Sequence, residues 1–109
     1  MNPDNLTIYD VINLVRRLSN DQIVIIQREK NSEFMYRLGI SEPDAKDYLR
    51  KLTVDDFFEG PLIDENPERK HFLWVFKKNV RGVLAYIKLK IINYGRIAIV
   101  ISFHEDEFN

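Results

Sequence analysis

Apolar residues in the first half of the chain recur at three- and four-residue intervals, whereas those in the last third recur at every second position. Ile8, Val11, Ile12, Val15 and Leu18 share one helical face after Asn5 or Thr7 as a cap, and predict a helix over about residues 7–19. Ser19-Asn20-Asp21 ends it, and the β-branched run Ile23 to Ile26 predicts a short strand. A second helix is expected over about 30–38, with Phe34, Met35 and Leu38 inward and Gly39 at its C-terminal cap. Ser41 followed by Glu42-Pro43-Asp44 opens a third, running to about Leu52 with Tyr48, Leu49 and Leu52 buried. Thr53 to Phe58 reads as a short capped turn of helix, and Gly60-Pro61 and Asn66-Pro67 as a loop.

Past residue 70 the period becomes alternating. Leu73-Trp74-Val75-Phe76 predicts one strand, Val83 to Ile92 a second and Arg96 to Phe103 a third, with Arg81-Gly82 and Tyr94-Gly95 at the turns. The expected fold class is α+β: N-terminal helices packed on a C-terminal antiparallel meander, in one domain over 1–109.

Alternation also predicts faces. Val83, Ala85, Ile87, Leu89 and Ile91 point one way along the second strand, and Tyr86, Lys88 and Lys90 the other. In the third strand Ile97, Ile99, Ile101 and Phe103 form the expected apolar set, with Ala98, Val100, Ser102 and His104 opposite. A three-residue loop Asn93-Tyr94-Gly95 aligns the two apolar sets, pairing Ile87 with Ile101 and Tyr86 with Ser102. His104 then lies diagonal to Tyr86, roughly 5–8 Å away between β-carbons. Tyr86, Lys88, Lys90, Ser102 and His104 gather on the outward face.

Composition narrows the class. The chain has 109 residues and no cysteine, which excludes disulfide scaffolds and thiolate metal sites. No apolar run is long enough to span a membrane, and the opening Met-Asn-Pro-Asp lacks signal-peptide character, so a cytoplasmic chain is expected. The net charge of −1 conceals an uneven distribution. Residues 41–68 carry nine acids against three bases, whereas 69–96 carry Arg69, Lys70, Lys77, Lys78, Arg81, Lys88, Lys90 and Arg96 with no acid. Such a block suits an anionic partner, of which nucleic acid is the commonest. The plainer reading is that the basic strands pair with the acidic segment of the same molecule.

The outward face matches what RNA cleavage without a metal needs. Histidine exchanges protons near neutral pH, lysine or arginine offsets phosphate charge, and tyrosine can hydrogen-bond a reacting oxygen or stack on a base. The same residues also make an ordinary solvated sheet surface. His71 and His104 without cysteine do not form a zinc site, and Asp55, Asp56, Glu59, Asp64 and Glu65 lack calcium-loop spacing. No nucleophile elbow, phosphate loop or dinucleotide fingerprint is present, and Trp74 reads as core.

The succession Phe57-Phe58-Glu59-Gly60-Pro61-Leu62, Leu73-Trp74-Val75-Phe76, Ala85-Tyr86-Ile87-Lys88-Leu89-Lys90 and Ile101-Ser102-Phe103-His104-Glu105 resembles the MqsR family of bacterial toxins. The resemblance implies a RelE-like ribonuclease fold and a messenger RNA endoribonuclease that works without the ribosome or a cofactor. It also implies neutralisation by a cognate antitoxin, of the MqsA or a helix-turn-helix type, in a complex with an antitoxin dimer. The family's catalytic tyrosine falls on Tyr86, and a C-terminal lysine of a well-known member falls on His104. A lysine after the Asp-Phe-aromatic motif becomes Glu59, and a glutamine near the tryptophan becomes Leu73 or Val75. Lys77, Lys78, Lys88 and Arg96 are then the substitutes for phosphate charge, with Lys90 beside them. Two other classes remain: a degenerate toxin that binds RNA or regulates without cutting, and a protein-docking domain.

Overall fold

The computed structural model describes residues 5–65 and 71–107, so the expected turn at Asn66-Pro67 and the cations Arg69 and Lys70 lie outside the described residues. Helix α1 spans Ile8–Arg17, strand β1 Ile23–Ile25, α2 Glu29–Leu38 and α3 Glu42–Arg50. Strands β2 (Phe57–Leu62), β3 (Leu73–Val80), β4 (Val83–Ile92) and β5 (Ile97–Glu105) follow. The fold is α+β, as the change of period predicted. No helix among the described residues is long and apolar enough to cross a membrane.

Local chemistry explains the helix ends. Thr7, not Asn5, caps α1 in a reciprocal box with Asp10: the Asp10 N–H donates to Thr7 Oγ1 at 3.2 Å and the Thr7 N–H to Asp10 Oδ2 at 2.9 Å. Ser41 and Asp44 do the same for α3, and these hydrogen bonds hold the Asp44 carboxyl below its usual range. Gly39 ends α2 at φ 67°, where a side chain would be strained. The Arg81 guanidinium, reaching back from the β3–β4 turn, donates to the carbonyls of Leu38 and Gly39 at 2.9 and 3.3 Å.

The sheet order is β1-β5-β4-β3-β2. The expected meander β3-β4-β5 is its centre, the expected short strand at Ile23 forms one edge, and the other edge differs from the sequence reading. β1 adds to β5 in parallel, pairing Ile23, Val24 and Ile25 with Ala98, Ile99 and Val100. At the other edge Phe57 to Leu62 is strand, so the expected helical turn stops at Asp56 and Gly60-Pro61 is not a loop. Proline is tolerated at an edge because its missing donor faces away from the ladder. Gly60 has φ 144°, and a β-carbon there would sit 3.0 Å from the Leu73 carbonyl oxygen, so the edge closes over Trp74 only with glycine.

Helix residues Val11, Val15, Phe34, Ala45 and Leu49 bury against Trp74, Phe76, Ile87, Leu89 and Ile91 of the sheet. Phe34 meets Phe103 edge to face at 5.7 Å. Within β5, however, the buried apolar residues are Ala98, Val100 and Phe103, Ser102 is buried on the opposite face, and the expected inward set Ile97, Ile99 and Ile101 is only half-buried. Two one-residue offsets cause this. The turn from Ile92 to Ile97 holds four residues instead of three, and pairing then jumps from Leu89–Val100 to Lys88–Ser102, leaving Ile101 as an extra residue in a β-bulge. The first offset turns Ala98 and Val100 inward. The second restores the expected facing beyond the bulge but slides it by one pair, so Tyr86 stands opposite His104, and Ser102 opposite Lys88.

A bulge leaves backbone groups without strand partners, and burial makes them costly. Asn31, fully buried at the start of α2, supplies them. Its Nδ2 donates to the carbonyls of Ile26 and Ile101, each at 3.0 Å, and the Phe103 N–H donates to its Oδ1 at 2.9 Å. The carboxamide thus continues the pairing that β1 begins when the Ile26 N–H donates to the Val100 carbonyl. Asn31→Ala strands several buried groups at about 1–3 kcal/mol each, so a loss of roughly 3 kcal/mol is expected in urea unfolding. The same change at exposed Ser32 should cost less than about 0.5 kcal/mol. Equal losses would show that the carboxamide does not hold the bulge.

Candidate active site

On the sheet face opposite the main core, with α2 bordering it at His104, register aligns two neighbouring rows. Lys77 of β3, Tyr86 of β4 and His104 of β5 form one. Glu59 of β2, Val75 of β3, Lys88 of β4 and Ser102 of β5 form the next, roughly 7 Å along the strands.

The Tyr86 and His104 rings stack nearly parallel, with centroids 5.5 Å apart and planes 18° from one another. His104 Nδ1 lies 2.9 Å from the Glu105 carbonyl oxygen. A carbonyl only accepts, so this contact assigns the proton to Nδ1 and leaves the Nε2 lone pair of the neutral ring available. The opposite end of the imidazole thus carries the free lone pair. Tyr86 is partly buried, and that burial, followed by the carboxylates of Glu59 and Asp106, raises its pKa above the ordinary value of 10.0. At neutral pH its hydroxyl is therefore a hydrogen-bond donor and not a phenolate.

Lys77 is a constrained cation. Its ammonium lies 3.1 Å from the carboxylate of Asp106, whose side chain is only 1% exposed, and 3.9 Å from the centroid of the Phe58 ring. A carboxylate that deep needs its counter-charge, so Lys77 is committed to Asp106 as well as available to the site. Lys88 differs: among the described residues no carboxylate lies within ion-pair distance of it.

The structure therefore brings Tyr86, His104, Lys77 and Lys88 together on one face. Lys90 shares the face but stands roughly 13 Å along β4 from Tyr86. Lys78 does not join them: it alternates to the helix side opposite Ala85, and its ammonium lies 3.6 Å from Asp56. Arg96 lies in the turn beyond Ile92, at the far end of the hairpin. Among the described residues, no three His, Asp or Glu converge in a way that would hold a metal ion.

Sequence reasoning missed two participants. Asp106 belongs to an acidic tail that looks solvated, but the Leu84 carbonyl accepts its backbone N–H at 2.9 Å and Lys77 meets its carboxylate. Arg28 lies far outside the basic block, and the parallel pairing of β1 with β5 is what carries it there. Its Nη1 donates to the Ile101 carbonyl at 3.2 Å and to Ser102 Oγ at 3.3 Å. No sequence period signals that approach.

The electrostatics of Tyr86 are measurable. A pH titration followed by tyrosinate absorbance should contain one phenol ionising above the usual value of 10.0, absent from Tyr86→Phe. Glu59→Gln should bring it partly down, because a nearby negative charge is removed while burial, the larger cause, stays. An unmoved titration in Glu59→Gln would contradict the assigned electrostatics.

The sequence from residue 8 to residue 105 matches the family model described as motility quorum-sensing regulator, toxin of MqsA. A search of the curated proteins gives no match. The family match covers nearly the whole chain, including every helix and strand described above, and the α+β architecture agrees with it: this chain belongs to the MqsR toxin family, the toxin half of a toxin–antitoxin pair.

Proposed function

We propose that the chain is an endoribonuclease that cuts single-stranded messenger RNA by proton transfer and phosphate stabilisation, and that its cognate antitoxin suppresses this activity. The observation that carries the reading is the Tyr86–His104 stack, with Nδ1 of His104 turned to the Glu105 carbonyl and Nε2 left for substrate. Nε2 accepts the proton of a ribose 2′-hydroxyl. The 2′-oxygen attacks phosphorus, the bond to the 5′-oxygen breaks, and the products are a 2′,3′-cyclic phosphate and a 5′-hydroxyl. The imidazolium formed in the first half of the step is the proton donor for the leaving oxygen. The neutral Tyr86 hydroxyl donates to a phosphoryl oxygen, and Lys88, one row along the strands, binds RNA phosphate and adds to the positive field around it. Lys77 adds to that field from its fixed place beside Asp106, and Lys90 continues the cationic track along β4.

One observation favours a second reading, a toxin-fold protein that binds RNA without cutting it. The carboxylates of Glu59 and Asp106 both bear on Tyr86, and the charge of Lys77 is already matched, so the face is less positive than the run of bases suggests.

Incubation with a long single-stranded RNA in EDTA separates the two. Discrete cleavage by the wild type is expected, with fragments ending in cyclic phosphate. His104→Ala should slow it by about 10²–10⁴-fold. Tyr86→Phe, which removes one donor, should cost about 10²-fold. Lys78→Ala and Arg96→Ala, both remote from the stack, should cut at the wild-type rate. RNA that is bound yet left intact by the folded wild type would select the non-catalytic reading, and full activity in both Tyr86→Phe and His104→Ala would remove the proposed site.

A further inference from the structure

Arg28 is a fixed guanidinium without a countercharge. It is exposed, and among the described residues no carboxylate lies within ion-pair distance of it. Yet Nη1 is held by two acceptors, the Ile101 carbonyl and Ser102 Oγ. A purely structural role is a poor account of this arrangement, because Asn31 Nδ2 already donates to the Ile101 carbonyl at the shorter distance of 3.0 Å. The two contacts use one edge of the fork. Nη2 and Nε of a planar guanidinium remain to grip an anion in two-pronged fashion.

Its surroundings define the anion. Ser102 is the strand partner of Lys88, so Arg28 and Lys88 flank the same serine from opposite sides. This row lies next to the Tyr86–His104 row, displaced by roughly 7 Å. That displacement is comparable with the spacing of successive phosphates along an extended single strand. We propose that Arg28 and Lys88 form a second phosphate subsite, which holds the RNA phosphate adjacent to the one being cut. The inference rests on the nuclease reading for the identity of that neighbour, and it adds Arg28 as an RNA-binding residue. The pair fixes the register of the strand: with one phosphate clamped over Ser102, the next falls over Tyr86 and His104.

The test reads charge neutralisation and not cleavage. Binding of a short single-stranded oligonucleotide with 2′-O-methyl groups, which lacks the nucleophile, is measured over a range of salt concentrations. Each phosphate contact on a single strand contributes about 0.7 to the slope of log affinity against log salt. Arg28→Gln keeps a donor for the Ile101 carbonyl and loses the charge. It should lower the slope by about 0.7 and weaken binding about tenfold. Arg28→Lys should restore the slope. Lys88→Gln should reproduce the loss independently, which covers the event that Arg28→Gln folds poorly. Arg17→Gln, on exposed α1 with its guanidinium tied to the Asn13 carbonyl, should leave the slope unchanged.

An unchanged slope in both Arg28→Gln and Lys88→Gln, with RNA still bound and cut, overturns the subsite and leaves the nuclease reading intact. Wild-type protein with no RNA affinity overturns both. The predicted slopes in a protein that never cuts unmodified RNA would support the subsite and refute the nuclease. Weakened antitoxin binding with an unchanged RNA slope would make the pair an acidic-protein contact and end the proposal.

Discussion

The arrangement of the candidate site depends on a buried carboxamide. A strand of unbroken alternation that turned Ala98 and Val100 inward would turn His104 inward too. The extra residue at Ile101 reverses this, and Asn31 makes the reversal affordable by meeting the carbonyls of Ile26 and Ile101 and the N–H of Phe103. Asn31 itself is fully buried, so each partner it left unmade would cost more than a made one contributes. The same side chain that tethers α2 to the sheet therefore sets which way the last residues of β5 point. Local backbone irregularity and the proposed chemistry are one feature.

Charge is sorted by the fold in a comparable way. The basic strands and the acidic segment 41–68 pair in part, as the plainer sequence reading held, where Lys78 meets Asp56; Lys77 instead meets Asp106 of the C-terminal tail, and Arg81 bonds the carbonyls at the end of α2. Two cations beside the candidate stack are among those left without an ion pair in the described residues. Lys88 and Arg28 stand either side of Ser102, close to the half-buried Tyr86–His104 stack, where a lowered dielectric makes each charge count for more than it would in open solvent. A chain with net charge −1 can therefore present a cationic spot to RNA while the acids elsewhere keep the total near zero.

Much of this was legible in the sequence, for local reasons. Ser41 with Asp44, Gly39, and Arg81-Gly82 act within a few residues of themselves, so the helix ends and the first hairpin turn followed from side-chain chemistry. The outward set of β4 followed from strict alternation between Val83 and Ile92, which no bulge interrupts up to Lys88. The inward set of β5 was misread because Ile97, Ile99 and Ile101 are larger and more apolar than Ala98 and Val100, and periodicity has no means of registering an extra residue. β2 was misread because Gly60-Pro61 is a turn signal everywhere except at an edge that must pass close over a tryptophan. Arg28 and Asp106 reach the site through long-range contacts, the first with β5 and the second with Leu84 and Lys77. Such contacts leave no mark on local pattern.

The central claim is that RNA meets this protein on the Tyr86–His104 face. Its most direct test is a nuclear magnetic resonance titration of labelled protein with a non-cleavable single-stranded RNA analogue. The ring signals of Tyr86 and His104, with the backbone signals of Lys88 and Ser102, should move together and saturate at one ligand concentration. Movement confined to α1 and α3, with those four residues still, would contradict the account.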